Sequence, residues 1–440
     1  MKSARQTAFE ILNKINRSGS YSNLTIDSML SGSDLKEVDA SLVSALVYGV
    51  LERTVTLDHC LSRHLKQPVR KLKPQVLTAL RMGAYQLLFM DKIPPSAAVN
   101  ESVTLVRANG CAFAARLTNA VLRAVSREGL VLPDESDPDQ YLSVKYSFPL
   151  WLVRLWRGCY GEDNAEGIMA ACTGRPPLTV RVNTQRTTAP QLKQRLKEEG
   201  VEAAPAPCEN ALNLGKCGSV EKLVSFQKGL FHVQDAASQL CAAALDPQPG
   251  DTVLDLCSAP GGKAFTAAQL MHDEGRIICC DIHSHRLALI KEGANRLGLR
   301  SIDVALNDAC AISRQLPMAQ RVLCDVPCSG LGIIRRKPEI RFKDPGEIDK
   351  LPKTQYNILN NSANYVMQGG RLVYSTCALN PAENEAVAQR FLQEHDDFVA
   401  VEPAVGGEDS YRSAHTLTLM PHRNQTDGFF IAVFERRGKR

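Results

Sequence analysis

Two cysteines that each follow a predicted strand are the residues of this chain best suited to covalent chemistry. Cys328 lies in the segment DVPCSG, and Cys377 lies in the segment YSTC. The thiolate is the reactive form of cysteine, so two strand-end thiols over one pocket indicate that one forms a covalent bond and the other helps to break it. The alternative is simple burial, because cysteine is among the most buried residue types. Most of the 14 cysteines fit that alternative, and Cys279, Cys280 and Cys324 lie inside apolar strand runs.

Upstream of both cysteines, the sequence DLCSAPGGK predicts a strand that runs through a glycine turn into a helix. Gly261 and Gly262 carry no side chain, so a ligand can approach the backbone closely. The helix N-terminus that follows favours a carboxylate. The turn matches neither GxGxxG nor the GK[ST] ending of a P-loop, which disfavours a dinucleotide or a triphosphate. The candidate ligand-binding residues of the turn are Cys257, Ser258, Ala259, Pro260, Gly261, Gly262 and Lys263.

Three aspartates follow the next predicted strands. Asp281 closes the second strand about 20 residues after the turn, where such folds place a carboxylate on a ribose. Asp308 follows the third strand, where an adenine would lie, and Asp325 ends the fourth. Each aspartate alone is typical of a turn or a helix cap. Together, at successive strand ends, they indicate a ligand site.

Strands and helices alternate from about residue 234 onward, which predicts a doubly wound parallel sheet with ligand sites at the carboxyl ends of its strands. A last alternating segment, 427–435, predicts an added antiparallel strand. The predicted strands are 251–256, 276–282, 304–307, 321–326 and 370–376, and the predicted helices include 286–297 and 348–367.

The rest of the chain predicts two further domains. Apolar residues recur at a spacing of three and four in the N-terminal part, with 76–90 as the central helix. An acidic, proline-containing segment, 133–139, then marks a boundary. We predict an all-α domain at 1–135, a small α+β module at 140–232 with a strand at 178–183 and a helix at 191–199, and an α/β domain at 233–440.

Composition is that of an ordinary globular protein, with 440 residues, 44% hydrophobic and 22% charged. No apolar run reaches the roughly 20 residues of a membrane helix, and the N-terminus lacks a signal-peptide core. Irregular cysteine spacing favours free thiols in a cytosolic chain, and neither a structural metal site nor a membrane partner is expected.

The net charge of +5 is unevenly distributed. Between residues 60 and 130 there are 11 basic side chains and only three acidic ones. Such a block on a helical domain is expected of a phosphate-binding surface. Solvated helix faces without a partner explain the same charges, and the sequence leaves both interpretations open.

The motifs resemble those of S-adenosylmethionine-dependent RNA cytosine-C5 methyltransferases. The segment 255–263 is similar to the cofactor loop of that family, 325–336 (DVPCSGLGIIRR) to its substrate motif, and 374–384 (YSTCALNPAEN) to its catalytic motif. Gln234-Asp235-Ala236 and Asp427–Phe430 match as well. The resemblance implies a Rossmann-like catalytic domain that uses S-adenosyl-L-methionine.

The N-terminal part resembles NusB-type helical RNA-binding domains, which are fused to such methyltransferases in a bacterial small-subunit rRNA enzyme. The resemblance thus implies a multidomain protein with an all-α NusB-like domain, the α+β module and the methyltransferase domain. It also implies small-subunit (16S) rRNA as the partner, action in the cytoplasm and no metal. A monomer is expected.

The same resemblance implies a role for each reacting residue. Cys377 is the nucleophile that adds to C6 of the cytosine, and Cys328 assists release of the adduct. Asp325 contacts the edge of the cytosine, the cofactor or both. Spacing alone does not rank the two cysteines; the resemblance does.

Two alternatives share much of this pattern. One is a cytosine methyltransferase for tRNA or another RNA, against which the NusB-like region argues. The other is a non-enzymatic RNA-binding factor that retains the methyltransferase fold, against which the two intact cysteines argue.

Overall fold

The computed structural model describes residues 3–18, 22–30, 35–407, 409–413 and 415–438. These residues divide into two compact units. Unit 1 covers the chain up to Thr173 together with Ile334–Phe342, and unit 2 covers Gly174–Ile333 and the chain from Lys343 onward.

Unit 1 is helical, as predicted for the N-terminal part. Its helices are α1 (Ala4–Ser18), α2 (Ser22–Leu30), α3 (Glu37–Glu52), α4 (Thr54–Ser62), α5 (Pro74–Phe89), α6 (Pro95–Ala108), α7 (Ala115–Glu128), α8 (Pro138–Tyr146), α9 (Leu150–Tyr160) and α10 (Glu162–Ala171). The apolar stripe of α1 is buried, with Ile11 and Leu12 at 1% exposure or less. Helix α5 packs against α1, α3, α4, α6 and α7, which confirms its central place.

Unit 1 also contains a segment from far along the chain, Ile334–Phe342, which we call the strap. Arg341 of the strap is fully buried. Its guanidinium donates to the carbonyl oxygens of Glu52 at 2.7 Å and Ser147 at 2.8 Å. The Glu339 carboxylate accepts from the backbone N–H of Ser22 at 3.0 Å and from its hydroxyl at 2.8 Å. The strap is therefore an internal part of unit 1.

Among the described residues, no single helix is long and apolar enough to cross a membrane. Helices α3 and α4 are long and apolar enough only when they are taken together, and the chain bends by 72° between them.

Unit 2 begins with a small antiparallel sheet in the order β2-β3-β1-β4. Its elements are β1 (Leu178–Val182), α11 (Ala189–Glu198), β2 (Ala203–Pro205), β3 (Ala211–Leu214), α12 (Val224–Gln227) and β4 (Phe231–Val233). The predicted strand and helix are confirmed. The short strands β2 and β3 were missed, since three or four residues are too few to establish an alternating pattern. The chain passes from unit 1 to unit 2 after Thr173; the three-domain division at 135 and 232 stays a prediction.

The second sheet of unit 2 has the order β11-β12-β13-β9-β8-β5-β6-β7, with β10 pairing with β13. Pairs among β5 to β9 are parallel, whereas β13 runs antiparallel to β9, as predicted. The strands are β5 (Thr252–Asp255), β6 (Arg276–Asp281), β7 (Ile302–Leu306), β8 (Ala319–Asp325), β9 (Val366–Thr376), β10 (Phe398–Val401), β11 (Tyr411–Ser413), β12 (Thr416–Leu419) and β13 (Phe429–Arg436).

Helices cover both faces of this sheet. They are α13 (Ala236–Ala244), α14 (Gly262–Leu270), α15 (Ser284–Leu297), α16 (Pro345–Ile348), α17 (Leu351–Ser362), α18 (Glu385–Glu394) and α19 (Pro421–Asn424). Cys279 and Cys280 on β6 belong to the cores on opposite faces, and Cys324 shares the core of Cys280, so all three are buried as predicted. The prediction of a helix up to residue 367 was wrong at its end, because Val366 already pairs with Ala319 as the first residue of β9.

Candidate active site

The turn between β5 and α14 is built by backbone hydrogen bonds. The N–H of Ser258 donates to the carbonyl of Cys280 at 2.8 Å, and the N–H of Gly261 donates to the carbonyl of Ser258 at 2.7 Å. Arg286 donates from α15 to the Ala259 carbonyl at 3.2 Å. These bonds fix the turn over the carboxyl ends of β5 and β6.

The two glycines of the turn are needed for different reasons. Gly261 has a φ of +103°, and a Cβ added there would lie 2.6 Å from Cζ of Phe265. Gly261 is thus required by the turn and by the core, in addition to the close ligand approach expected from the sequence. At Gly262 an added Cβ would lie 3.6 Å from the Gln234 amide, which is ordinary contact.

Asp281 and Asp308 lie at the ends of the paired strands β6 and β7. The Asp281 carboxylate is 5% exposed, accepts from the N–H of His283 at 2.9 Å and pairs with Arg286 at 3.1 Å. Asp308 is exposed and accepts from the N–H of Cys310 at 2.9 Å. A nucleoside lying across these strand ends would meet a fixed carboxylate at Asp281 and a solvent-facing one at Asp308.

A lysine that is largely buried forms an ion pair with a carboxylate beside the turn. Nζ of Lys263 lies 2.6 Å from Oδ2 of Asp325, whose other oxygen accepts from the Ser375 hydroxyl at 2.9 Å. Burial alone would lower the pKa of Lys263, but the charge of Asp325 and its hydrogen bond raise it. Asp325 is thereby held at the end of β8 by groups from α14 and β9.

The two predicted cysteines are adjacent in space. Sγ of Cys328 lies 3.1 Å from Sγ of Cys377, and both residues are half-buried. The loops that carry them are tied together, since the N–H of Gly332 donates to the Cys377 carbonyl at 2.9 Å. Parallel pairing of β8 with β9, with Asp325 opposite Ser375, places both sulfurs at the same edge of the sheet.

The surroundings of Cys328 disfavour its ionisation. The hydrogen bond with Cys377, burial and the carboxylates of Glu383 and Asp325 raise the pKa of Cys328 well above that of a free thiol. Cys328 therefore keeps its proton and can donate it toward the sulfur of Cys377.

Two functional candidates were missed from the sequence. Asp255 ends β5 at 1% exposure, and its carboxylate lies beside the Ser258 hydroxyl and the backbone N–H of Cys257. Burial raises the pKa of Asp255 to about 7. Glu383 is fully buried behind the cysteine loops. An acidic residue in an apolar strand would have signalled Asp255, whereas the contacts of Glu383 join distant segments and leave no local signal.

The basic block of unit 1 contains both paired and unpaired side chains. Arg63 pairs with Glu128 at 2.6 Å, and Arg81 pairs with Asp58 at 2.7 Å. Arg70, Lys71 and Lys73, which we call the basic cluster, are exposed and have no ion-pair partner among the residues described. Lys73 also lies 5.0 Å from the ring centroid of Phe113, which is 69% exposed.

Within the same described residues, no group of three or more His, Cys, Asp or Glu side chains is placed to hold a metal ion.

Comparisons with known proteins agree along the whole chain. Residues 242–435 match the family described as 16S rRNA methyltransferase RsmB/F, residues 2–127 match the NusB family, and residues 148–221 match the ferredoxin-like domain of RsmF/B-like methyltransferases. The resemblance of both end regions and the expected fold class are thus confirmed.

Individual relatives cover nearly the full length. The probable ribosomal RNA small subunit methyltransferase B of Bacillus subtilis is 38% identical over 99% of this chain and 99% of its own. A protein described in the same words from Synechocystis is 39% identical over 99% and 100%. The solved structure of PH0851 covers 98% of this chain and 99% of its own with a TM-score of 0.83 at 25% identity.

Proposed function

The chain belongs to the RsmB/F family of 16S rRNA methyltransferases, and on that premise we propose that it transfers a methyl group from S-adenosylmethionine to C5 of a cytosine in small-subunit rRNA. The observation that carries the cytosine-C5 chemistry is the pair of sulfurs 3.1 Å apart, Cys328 and Cys377, beside Asp325. An N- or O-methyltransferase needs no such pair, because its acceptor atoms are already nucleophilic.

The residues around the turn fit S-adenosylmethionine. Asp281 offers a fixed carboxylate for a ribose, and the α14 N-terminus at Gly262 suits a carboxylate tail. Among the described residues, Asn307 Nδ2 is buried there without a hydrogen-bond partner. A buried polar group without a partner costs roughly 1–3 kcal/mol, so a polar ligand in this place would stabilise it.

The cofactor, when bound, supplies an electrophilic methyl group on a sulfonium. The protein must make C5 of cytosine able to accept it, because that carbon is a poor nucleophile. In the proposed mechanism the Cys377 thiolate forms a bond to C6, which moves electron density onto C5. Asp325 bonds the N3 and N4 edge of the base. After methylation, Cys328 first loses its own proton to solvent and then, as the thiolate, accepts the proton from C5. The C5–C6 double bond returns as the bond between Cys377 and C6 breaks, and the electron pair of that bond stays on the Cys377 sulfur.

The electrostatics of the pair support this order of events. The largest cause of the raised pKa of Cys328 is its hydrogen bond with Cys377. Once Cys377 has bonded to C6, its sulfur is a thioether, which accepts hydrogen bonds only weakly, so this cause is reduced. Cys328 then becomes easier to ionise at the stage when a base is required. The target base must leave its stack to reach this edge, so an unpaired rRNA segment is expected.

The test compares the steps of the reaction at which two cysteine variants are blocked. Cys377→Ala should form no covalent complex and methylate nothing. Cys328→Ala should add to the base, transfer the methyl and then fail to release, leaving a protein–RNA band that survives denaturing electrophoresis. Cys159→Ala, which removes an exposed thiol elsewhere, should behave as wild type, and the double variant should trap nothing.

Trapping by Cys377→Ala and not by Cys328→Ala would reverse the two roles. Offering small-subunit rRNA, assembled 30S particles and tRNA side by side tests the substrate, and preferential methylation of tRNA would overturn the rRNA assignment. If the wild-type protein did not bind S-adenosylmethionine, the proposal that it is a methyltransferase using this cofactor would be overturned.

A further inference from the structure

A buried carboxylate, Glu383, joins the loops that carry the two cysteines. Its side chain is 0% exposed. Oε2 accepts from the N–H of Ser329 at 2.8 Å and from the Gln355 amide at 2.9 Å, and Oε1 accepts from the Asn380 amide at 3.0 Å. The three donors come from the loop after β8, from α17 and from the loop after β9, so one carboxylate connects three separate segments.

These donors lie next to the reacting residues along the chain. Ser329 directly follows Cys328, and the α17 amide that reaches the carboxylate also donates to the Pro327 carbonyl at 3.0 Å. Asn380 lies three residues beyond Cys377. The carboxylate thus fixes the backbone on both sides of Cys328 and the loop that continues from Cys377.

We propose that Glu383 is a positioning residue for the methyl transfer, holding the Cys328 loop against the Cys377 loop so that the two sulfurs stay within hydrogen-bond distance. It touches neither sulfur and acts through the donors that it binds. The inference rests on the proposed function for its catalytic meaning, but the sulfur separation can be measured without any substrate.

The charge of Glu383 adds to its geometric role. The ionisable groups that face Cys328 are Cys377 from the end of β9, Asp325 from β8, Glu383 from the following loop and Tyr374 from within β9. The carboxylates of Glu383 and Asp325 both oppose ionisation of Cys328. A neutral residue at 383 would therefore weaken the preference for a proton on this thiol as well as loosen its loop.

Crosslinking of the two sulfurs measures their separation directly. A disulfide needs an S–S distance of about 2.0 Å, so Cys328 and Cys377 can join after a small closing movement. Diamide takes two electrons and two protons from the thiols, and mass spectrometry of the peptide pair measures the rate in the full-length protein. Wild type should crosslink fastest and Glu383→Gln about tenfold more slowly, because the glutamine keeps only one accepting oxygen and its NH2 group then faces a donor. This loss of geometry should outweigh the easier ionisation of Cys328, and Glu383→Asp, which keeps the charge, should crosslink at an intermediate rate.

Glu385→Gln is the matched control. Glu385 begins α18 two residues further on, and its carboxylate accepts from the Thr418 hydroxyl at 3.4 Å instead of binding the cysteine loops. This variant should crosslink at the wild-type rate. Crosslinking of Glu383→Gln at the wild-type rate, with Tm unchanged, would overturn the proposal.

If Glu383→Gln fails to fold, Gln355→Ala tests the same clamp, because it removes one donor to the carboxylate and the bond to Pro327; an unchanged rate in that variant would overturn the proposal equally. With RNA present, Glu383→Gln should lower kcat and leave KM for S-adenosylmethionine unchanged. A wild-type protein that methylates no RNA would overturn the proposed function, while the crosslinking rates would still decide the role of Glu383.

Discussion

At the scale of single residues, the active edge of the sheet depends on carboxylates in different states. Asp281 is hydrogen-bonded and paired with Arg286, and Asp325 is paired with Lys263. Asp255, in contrast, is buried and forms no ion pair with a described residue. A buried carboxylate without an ion pair is costly when charged, so Asp255 should contribute to how the stability of the ligand-free protein changes with pH.

The sign of that dependence follows from the direction of the shift. The pKa of Asp255 is about 7 in the folded protein and near 3.9 in an unfolded chain. The folded state therefore holds a proton that the unfolded state lacks between roughly pH 4 and pH 7. The contribution of Asp255 to the free energy of unfolding should fall as pH rises through this window, by roughly 4 kcal/mol at most.

We therefore predict that Asp255→Asn raises the Tm of the ligand-free protein at pH 8 and leaves it unchanged near pH 4. Calorimetry across this range checks the prediction. Asp303→Asn, at an exposed position on β7, should show no such pH-dependent difference. If the plots of Tm against pH for wild type and Asp255→Asn ran parallel, the charged carboxylate would have to be stabilised by some other group.

At the scale of elements, the two glycines of the turn between β5 and α14 should differ in how well they tolerate a side chain. We predict that Gly261→Ala lowers both the Tm and the affinity for S-adenosylmethionine, because the alanine would combine a φ of +103° with a Cβ 2.6 Å from Phe265. The backbone cost alone is about 1–2 kcal/mol. Gly262→Ala meets only ordinary contacts and should keep the wild-type Tm. Calorimetry and cofactor titration of both variants test the prediction. A higher Tm and a higher cofactor affinity for Gly261→Ala than for Gly262→Ala would contradict it.

Elements were predictable from the sequence where their pattern is local. The parallel strands could be located because each is a short run with an Asp or a Cys at its last residue or within two residues after it, and such ends converge at one edge of the sheet. The start of β9 could not, since the apolar residues around Val366 fit a helix and a strand equally well. The clamp at Glu383 and the strap both depend on pairing between distant segments, which no single-sequence pattern encodes.

At the scale of the whole molecule, charge outside the catalytic edge should determine RNA affinity. Deleting residues 1–130 is an unsuitable test, because it would also remove Ser22 and Glu52, the partners of the strap. Substitution of the basic cluster avoids this difficulty, since Arg70, Lys71 and Lys73 are exposed.

We predict that replacing the basic cluster by alanine weakens rRNA binding and lowers the slope of log affinity against log salt by about 2, as the loss of up to three phosphate contacts requires. Cofactor affinity and Tm should not change. Arg63→Ala together with Arg81→Ala removes charge already neutralised by Glu128 and Asp58 and should alter the slope less. If filter-binding assays gave wild type and the cluster variant the same slope of log affinity against log salt, the basic cluster would be a solvated surface that does not contact RNA.

The strap has a further consequence for the order in which the protein can mature on the ribosome. Residues up to Thr173 emerge first, but the carbonyls of Glu52 and Ser147 receive their donor only when Arg341 has been made. Translating the intervening stretch takes roughly ten to thirty seconds at ordinary elongation rates. During that interval the carbonyls of Glu52 and Ser147 lack this donor. The strap follows the loop of Cys328 in the sequence. The N-terminal unit can therefore be completed only after the ribosome has synthesised Cys328.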